Sequence, residues 1–306
     1  MSRRKICFAL LAMTWVIAAQ IDASAAVTKY IDSPRNEFSI AVESGVHAWA
    51  QDTTQHLYVY QVWVKPDGGP RYRVSALTSS ASVGNIDLAN PSYGDVLVFS
   101  SRGGLGQNQS DIKLWDLANH AAIVLPAGVN TPTADEERPA ISGDYLLFTR
   151  VQPSGAERVL LYQFSTHTFT SIASSTPQAA TDFIGTLRGD YVVYDACTST
   201  ACNVFRYRIS TTARVEAPNA GHANYWPTVA TNGTIYYVQG SFRYCGHHTK
   251  LMKWTGSGSA TLLTALPEGI EAAAMDTYND GVSTTLYFSR LICQGFHYGI
   301  YQVPNV

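Results

Sequence analysis

Charge is scarce in this chain: of 306 residues 14% are charged, and the formal net charge is −2. No block of Lys and Arg follows the extreme N-terminus, so the electrostatic footprint of a nucleic-acid binder is missing and no nucleic-acid partner is expected. Beyond the first 25 residues no apolar run approaches the ~20 residues that a membrane-spanning helix needs. G-x-S-x-G, H-E-x-x-H, the P-loop and the dinucleotide fingerprint are all absent, so no serine-hydrolase domain of the nucleophile-elbow kind, zincin helix or nucleotide-binding loop is expected. Gly103-Gly104-Leu105-Gly106 falls between two expected strands rather than at a strand-to-helix turn, so it is no phosphate cradle. What is present is 46% hydrophobic, with 18 Tyr, 11 Phe and 6 Trp mostly in strand-favouring runs. That composition excludes disorder and leaves a β-rich globular chain.

The N-terminus reads as an export signal. Arg3, Arg4 and Lys5 precede an apolar run from Ile6 to Ala19, and Ala23-Ser24-Ala25 has the small-residue pattern of a cleavage site. We therefore expect residues 1–25 to be removed and residues 26–306 to form one domain, periplasmic or secreted. The loss takes away three positive charges and Asp22, leaving a mildly acidic mature chain.

The mature chain repeats. Gly94-Asp95-Val96-Leu97-Val98-Phe99, Gly143-Asp144-Tyr145-Leu146-Leu147-Phe148, Gly189-Asp190-Tyr191-Val192-Val193-Tyr194 and Asn232-Gly233-Thr234-Ile235-Tyr236-Tyr237 each join a two-residue turn to a strand-favouring run. Worn copies end at Ala50 and Phe288. A second aromatic marker, Trp63, Trp115, Tyr162, Tyr207, Trp254 and Tyr301, trails each of these at the same period of 45–52 residues. Units of this length with four short strands are the blades of a propeller. The third unit predicts strands a to d at 138–142, 144–151, 158–164 and 169–173. Its b strand is apolar without alternation, as a sheet packed on both faces requires.

Unit six has strands near 271–276, 284–290 and 298–303 but no fourth. Residues 27–32 have strand character and no unit of their own, so they are expected to complete that blade and remove its open edge. The Ala-rich stretch 260–274 has helical propensity, but the repeat places two strands there and Pro267-Glu268-Gly269 interrupts it. The predicted fold is an all-β, six-bladed propeller of four-stranded antiparallel blades.

Phe99-Ser100-Ser101-Arg102-Gly103-Gly104 followed by Asp111-Ile112-Lys113-Leu114-Trp115-Asp116 resembles the repeat of TolB-like six-bladed propellers. Leu147-Phe148-Thr149-Arg150 and Tyr287-Phe288-Ser289-Arg290 echo it. Pro91, Pro139 and Pro227 match the family's strand-a proline, and Gly-Asp stands where the family has its Trp-Ser-Pro-Asp-Gly turn. The resemblance covers residues 27–306 and implies the propeller alone, without TolB's N-terminal α/β domain.

Cys7 leaves with the signal, and four cysteines remain in an exported chain, where disulfides are expected. Cys197 and Cys202 flank the tip of one b–c hairpin, and Cys245 and Cys293 lie in the b–c loops of neighbouring units, so the repeat register pairs 197 with 202 and 245 with 293. His247, His248 and His297 share the latter two loops. Their spacing matches no standard zinc site, and no metal or other cofactor is expected.

In a propeller the d–a and b–c connections share one face, at the mouth of the central channel. That mouth gathers Glu136, Glu137, Arg138, Asn224, Tyr225, His247, His248 and His297 as candidate binding residues. No catalytic residue is assigned. The function expected from the sequence is a non-catalytic, monomeric propeller that binds a protein or a glycan through this face. The alternative is a lyase, lactonase or glycoside hydrolase with its site in the channel.

Overall fold

In a computed structural model, the structure describes residues 26–31, 37–52, 60–74, 82–89, 95–102, 109–176, 182–240, 249–266, 270–292 and 297–306. Six four-stranded antiparallel sheets form the six blades of a propeller. Blade 1 comprises Glu37–Glu43, Val46–Asp52, Tyr60–Pro66 and Tyr72–Arg73, and blade 2 comprises Ser82–Ala89, Val96–Arg102, Ser110–Asp116 and Ala121–Ile123. Blade 3 takes Asp135–Ser142, Tyr145–Val151, Glu157–Gln163 and Thr168–Ser174, and blade 4 takes Asp182–Arg188, Tyr191–Cys197, Cys202–Arg208 and Arg214–Glu216. Blade 5 follows with Ala223–Val229, Ile235–Gly240, Lys250–Trp254 and Thr261–Ala265.

Blade 6 has Ile270–Asn279, Thr284–Ile292 and His297–Val303 from the C-terminal end of the chain. Its outer strand is Thr28–Ile31, which pairs antiparallel with His297–Val303 through Thr28 with Gln302 and Lys29 with Tyr301. The N-terminal strand thus closes the ring as the repeat predicted. The Ala-rich stretch is strand on both sides of Pro267, again as the repeat required. All six strand-c aromatics lie in third strands. Gly143, Gly189 and Gly233 take positive φ (54°, 57° and 82°) in the a–b turns, where a side chain would be strained.

The core is divided among the blade junctions. Six clusters fill them among the described residues; five draw on two neighbouring blades, and the one between blades 5 and 6 also takes in Cys197 and Cys202 of blade 4. Leu146, Phe148 and Tyr162 of blade 3, for example, pack on Val98, Ile112 and Leu114 of blade 2, and Trp49 of blade 1 packs on Tyr287 and Ile300 of blade 6. This explains the unbroken apolar b strands: both faces of each blade are interfaces.

Strand a is the inner edge of every blade, so one row of its backbone groups faces the axis without a sheet partner. Five of the six a strands carry a register shift at the same point, after Phe38, Val83, Glu137, Tyr225 and Ala273. Ser39, Arg138, Trp226 and Ala274 sit there with positive φ. Pro139 and Pro227 follow the bulge, where an edge strand tolerates a missing N–H. Pro91 does not belong to this set: strand a of blade 2 ends at Ala89, so Pro91 lies past it, outside the described residues.

Candidate functional site

The axis of the ring holds a narrow cavity of about 30 Å³, lined by strand a of all six blades, including Asp87, Thr186, Trp226 and Asp276. Among the described residues, that volume is room for a water or two. Side chains stitch the blades together around it, and every junction has such a bond. Asp276 Oδ2 accepts from the Val42 amide at 2.7 Å, and Ser39 Oγ accepts from the Ile86 amide at 3.1 Å. Asp87 Oδ2 accepts from the Ile141 amide at 2.8 Å, and Asp195 Oδ2 from the Trp226 amide at 2.8 Å. Arg138 donates to the Phe183 carbonyl at 2.7 Å, and Thr277 Oγ1 to the Val229 carbonyl at 3.1 Å. These bonds satisfy the inner-edge backbone groups that would otherwise be orphaned.

Arg188 ends strand a of blade 4 and crosses the ring. It donates to Asp276 Oδ1 of blade 6 at 3.1 Å and pairs with Glu43 of blade 1. Asp87 of blade 2 lies within its electrostatic reach. Burial pushes the carboxyls of Asp87 and Asp276 upward. Asp87 is raised further by the neighbouring Asp276, and both are held back by the Arg188 guanidinium. One guanidinium against three carboxylates leaves an acid excess in a buried place, which raises the Asp87 carboxyl well above the ordinary range.

The predicted mouth residues fall into two groups. Glu136, Asn224 and Tyr225 are buried. Glu136 pairs with Arg150 Nε at 2.8 Å and accepts from Thr131 Oγ1 at 2.9 Å. Arg150 also donates to the carbonyls of Gly128 and Val129, so this pair fastens the d–a connection entering blade 3. Burial nevertheless leaves the Glu136 carboxyl above the usual range. Asn224 does the same for blade 5 by donating to the Pro218 carbonyl at 3.1 Å and accepting from Gln239.

Glu137 is accessible and pairs with Arg102 at 2.9 Å; Asp135 lies 3.7 Å from the same guanidinium. Arg138 is held by Glu157 at 3.3 Å. Beside Asp135 a concavity of about 380 Å³ opens on this face between Gln109, Pro132, Thr133, Gln152 and Pro153. His247, His248, Cys245 and Cys293 lie outside the described residues, and His297 is placed as the first residue of its strand. Cys197 and Cys202 form a disulfide with Cα atoms 4.0 Å apart, in the pairing that the register predicted. Among the described residues no three His, Cys, Asp or Glu are placed to hold a metal ion, and no helix is long and apolar enough to cross a membrane.

Sequence reasoning missed the Arg188–Asp276–Glu43–Asp87 group. Its members lie in four different repeats, and no local pattern marks them. Only their shared position toward the end of strand a could have signalled it.

No family model and no curated protein matches this chain. Solved structures do. A TolB candidate from Agrobacterium tumefaciens superposes with TM-score 0.57 at 10% identity, covering 89% of this chain and 91% of that one. The fold is that of a TolB-like six-bladed propeller. TolB from Acinetobacter baumannii gives 0.54 at 15% identity, covering 85% of this chain and 63% of its own length. A fucose-specific lectin from Aleuria aurantia gives 0.52 at 10% identity, covering 87% and 96%. At such identities the likeness is one of architecture, and propellers of this kind serve unrelated functions.

Proposed function

We propose that this chain is an exported, non-catalytic TolB-like propeller that binds a protein or glycan partner through the face carrying its b–c and d–a connections. The narrowness of the axial cavity among the described residues carries this reading. The axial cavity is too small for a substrate, and its two deepest carboxylates already accept backbone amides from neighbouring blades. A partner must then be met on an outer surface. The accessible group around Arg102, Asp135 and Glu137, with the concavity beside it, supplies both charge and shape. Glu136 and Arg138 lie beside this group in strand a of blade 3, and on the repeat register we assign Asn224, Tyr225, His247, His248 and His297 to the same loop-bearing face. Removal of residues 1–25 delivers the chain to the periplasm or beyond.

The enzyme reading rests on the raised carboxyls of Asp87 and Asp276, since perturbed titration is a mark of active sites. Burial accounts for that perturbation without a reaction.

The test is affinity capture from envelope extract together with a glycan array, using residues 26–306 and an Arg102→Glu, Glu137→Lys double variant. The wild type should retain a partner that the double variant loses while melting normally. Turnover of a glycan or ester by the purified protein would overturn the reading.

A further inference from the structure

The strand that closes the ring is short, and a buried histidine lies against it. Thr28–Ile31 meets His297–Val303 through three residue pairs, with a register shift after Lys29. Tyr30, at that shift, packs on His47 of blade 1 and on Tyr287 of blade 6, with ring centres 5.1 Å apart in each pair. His47 also meets the Tyr287 ring, at 5.9 Å. One imidazole thus sits where the closing strand, blade 1 and blade 6 converge. His47 is 6% exposed, and its Nδ1 has no hydrogen-bond partner among the described residues. The charged groups around it all belong to blade 1. Asp67 Oδ1 lies 3.5 Å from Nδ1, but that carboxylate is 71% exposed and largely answered by water. Lys65 stands opposite His47 in the ladder, and Arg71 lines the same groove. Tyr30 and Tyr287 face the ring from the other two elements, and burial pushes both phenols up, so neither is charged near neutrality. Burial holds the His47 imidazole below its usual value; Asp67 opposes that shift and the Lys65 ammonium adds to it.

We propose that this seam is an acid-sensitive latch: a proton taken up by His47 loosens Thr28–Ile31 from the outer edge of blade 6. With the strand in place, an imidazolium under Tyr30 has one mostly solvated carboxylate to answer its charge. When the strand lifts, Tyr30 leaves with it and water reaches the ring, which then titrates near its ordinary value of about 6.5. The open form therefore binds a proton that the closed form resists. The seam's stability is present in full above the ordinary value and is lost as the pH falls through the lower native one. That sign is opposite to the one set by the raised carboxyls of Asp87 and Asp276 on the axis. Opening leaves the other five blades intact and uncovers the edge of His297–Val303, a template for another strand.

The test is amide hydrogen exchange on residues 26–306 at about pH 7.5 and about pH 5, with rates corrected for the intrinsic effect of pH. Protection at 28–31 and at their partners 300–302 should fall several-fold in acid, while strand 145–151 of blade 3 keeps its protection. His47→Phe retains a ring against Tyr30 and Tyr287 without a titrating group and should abolish the loss. Asp67→Asn, an exposed change, removes the carboxylate that answers the imidazolium and should deepen the loss; it decides the matter where His47→Phe does not fold. Protection at 28–31 indifferent to pH, a loss spread evenly over all blades, a loss of the same size in His47→Phe, or a loss unaltered by Asp67→Asn would each overturn the proposal.

Discussion

Arg188 of blade 4 and Asp276 of blade 6 meet at 3.1 Å inside the ring, although 88 residues and a whole blade separate them. The contact ties together two blades that are not neighbours, in addition to the one core cluster they share through Cys197 and Cys202. With Glu43 on its other side, Arg188 links the fourth blade to both blades at the chain's closure point. A propeller held only by neighbour-to-neighbour packing would lack this brace.

Replacing Arg188 with Met should therefore cost about 3 to 5 kcal/mol in urea unfolding, because Asp276 and Asp87 would stay buried without their cation. A loss under about 1 kcal/mol would mean that the carboxyls simply take up protons, and that the guanidinium is dispensable.

The same group sets a pH dependence. A carboxyl whose native pKa exceeds its unfolded value of about 4 binds its proton more tightly when folded. Its contribution to stability then falls as pH rises through the native value. Asp87 and Asp276 are both raised, first by burial. Arg188→Met should raise them further, so the variant's deficit should be smallest in mild acid and grow toward neutrality. Unfolding curves across this range check the sign.

Ring closure gives a second stability prediction. Deleting residues 26–33 removes the outer strand of blade 6 and exposes the edge of His297–Val303. The truncated chain should melt well below the full domain and self-associate on sizing columns. A monomer of unchanged melting temperature would show that the strand is ornamental.

Peptide mapping without reductant should recover the 197–202 bridge and, on the register argument, 245–293. The short 197–202 loop limits its stabilisation to about 2 kcal/mol in the chain-entropy model, so Cys197→Ser with Cys202→Ser should fold. Free thiols at 245 and 293 would remove the second pairing.

Much of this fold was legible because five of the six blades bury an aromatic at the same place and repeat a short a–b turn before it. Phe99, Phe148, Tyr194, Tyr237 and Phe288 recur at one period since they fill equivalent places in the blade junctions. The closing strand was legible because blade 6 ran out of chain. The axial group was not, since Glu43, Asp87, Arg188 and Asp276 converge only when the ring shuts. The burial of Glu136 and Asn224 was also hidden. A carboxylate or amide before a strand-a proline reads as loop polarity, and only the structure reveals the d–a carbonyls and amides that it fastens.

The most direct test of where this propeller works is a hydrogen-exchange footprint of the captured partner on residues 26–306. Protection is predicted at residues 109–110, 130–138 and 152–157, on the b–c and d–a face around Glu137, and should vanish in the Arg102→Glu, Glu137→Lys variant. Protection confined to the a–b turns at Gly143, Gly189 and Gly233, or to the outer strands, would contradict the account.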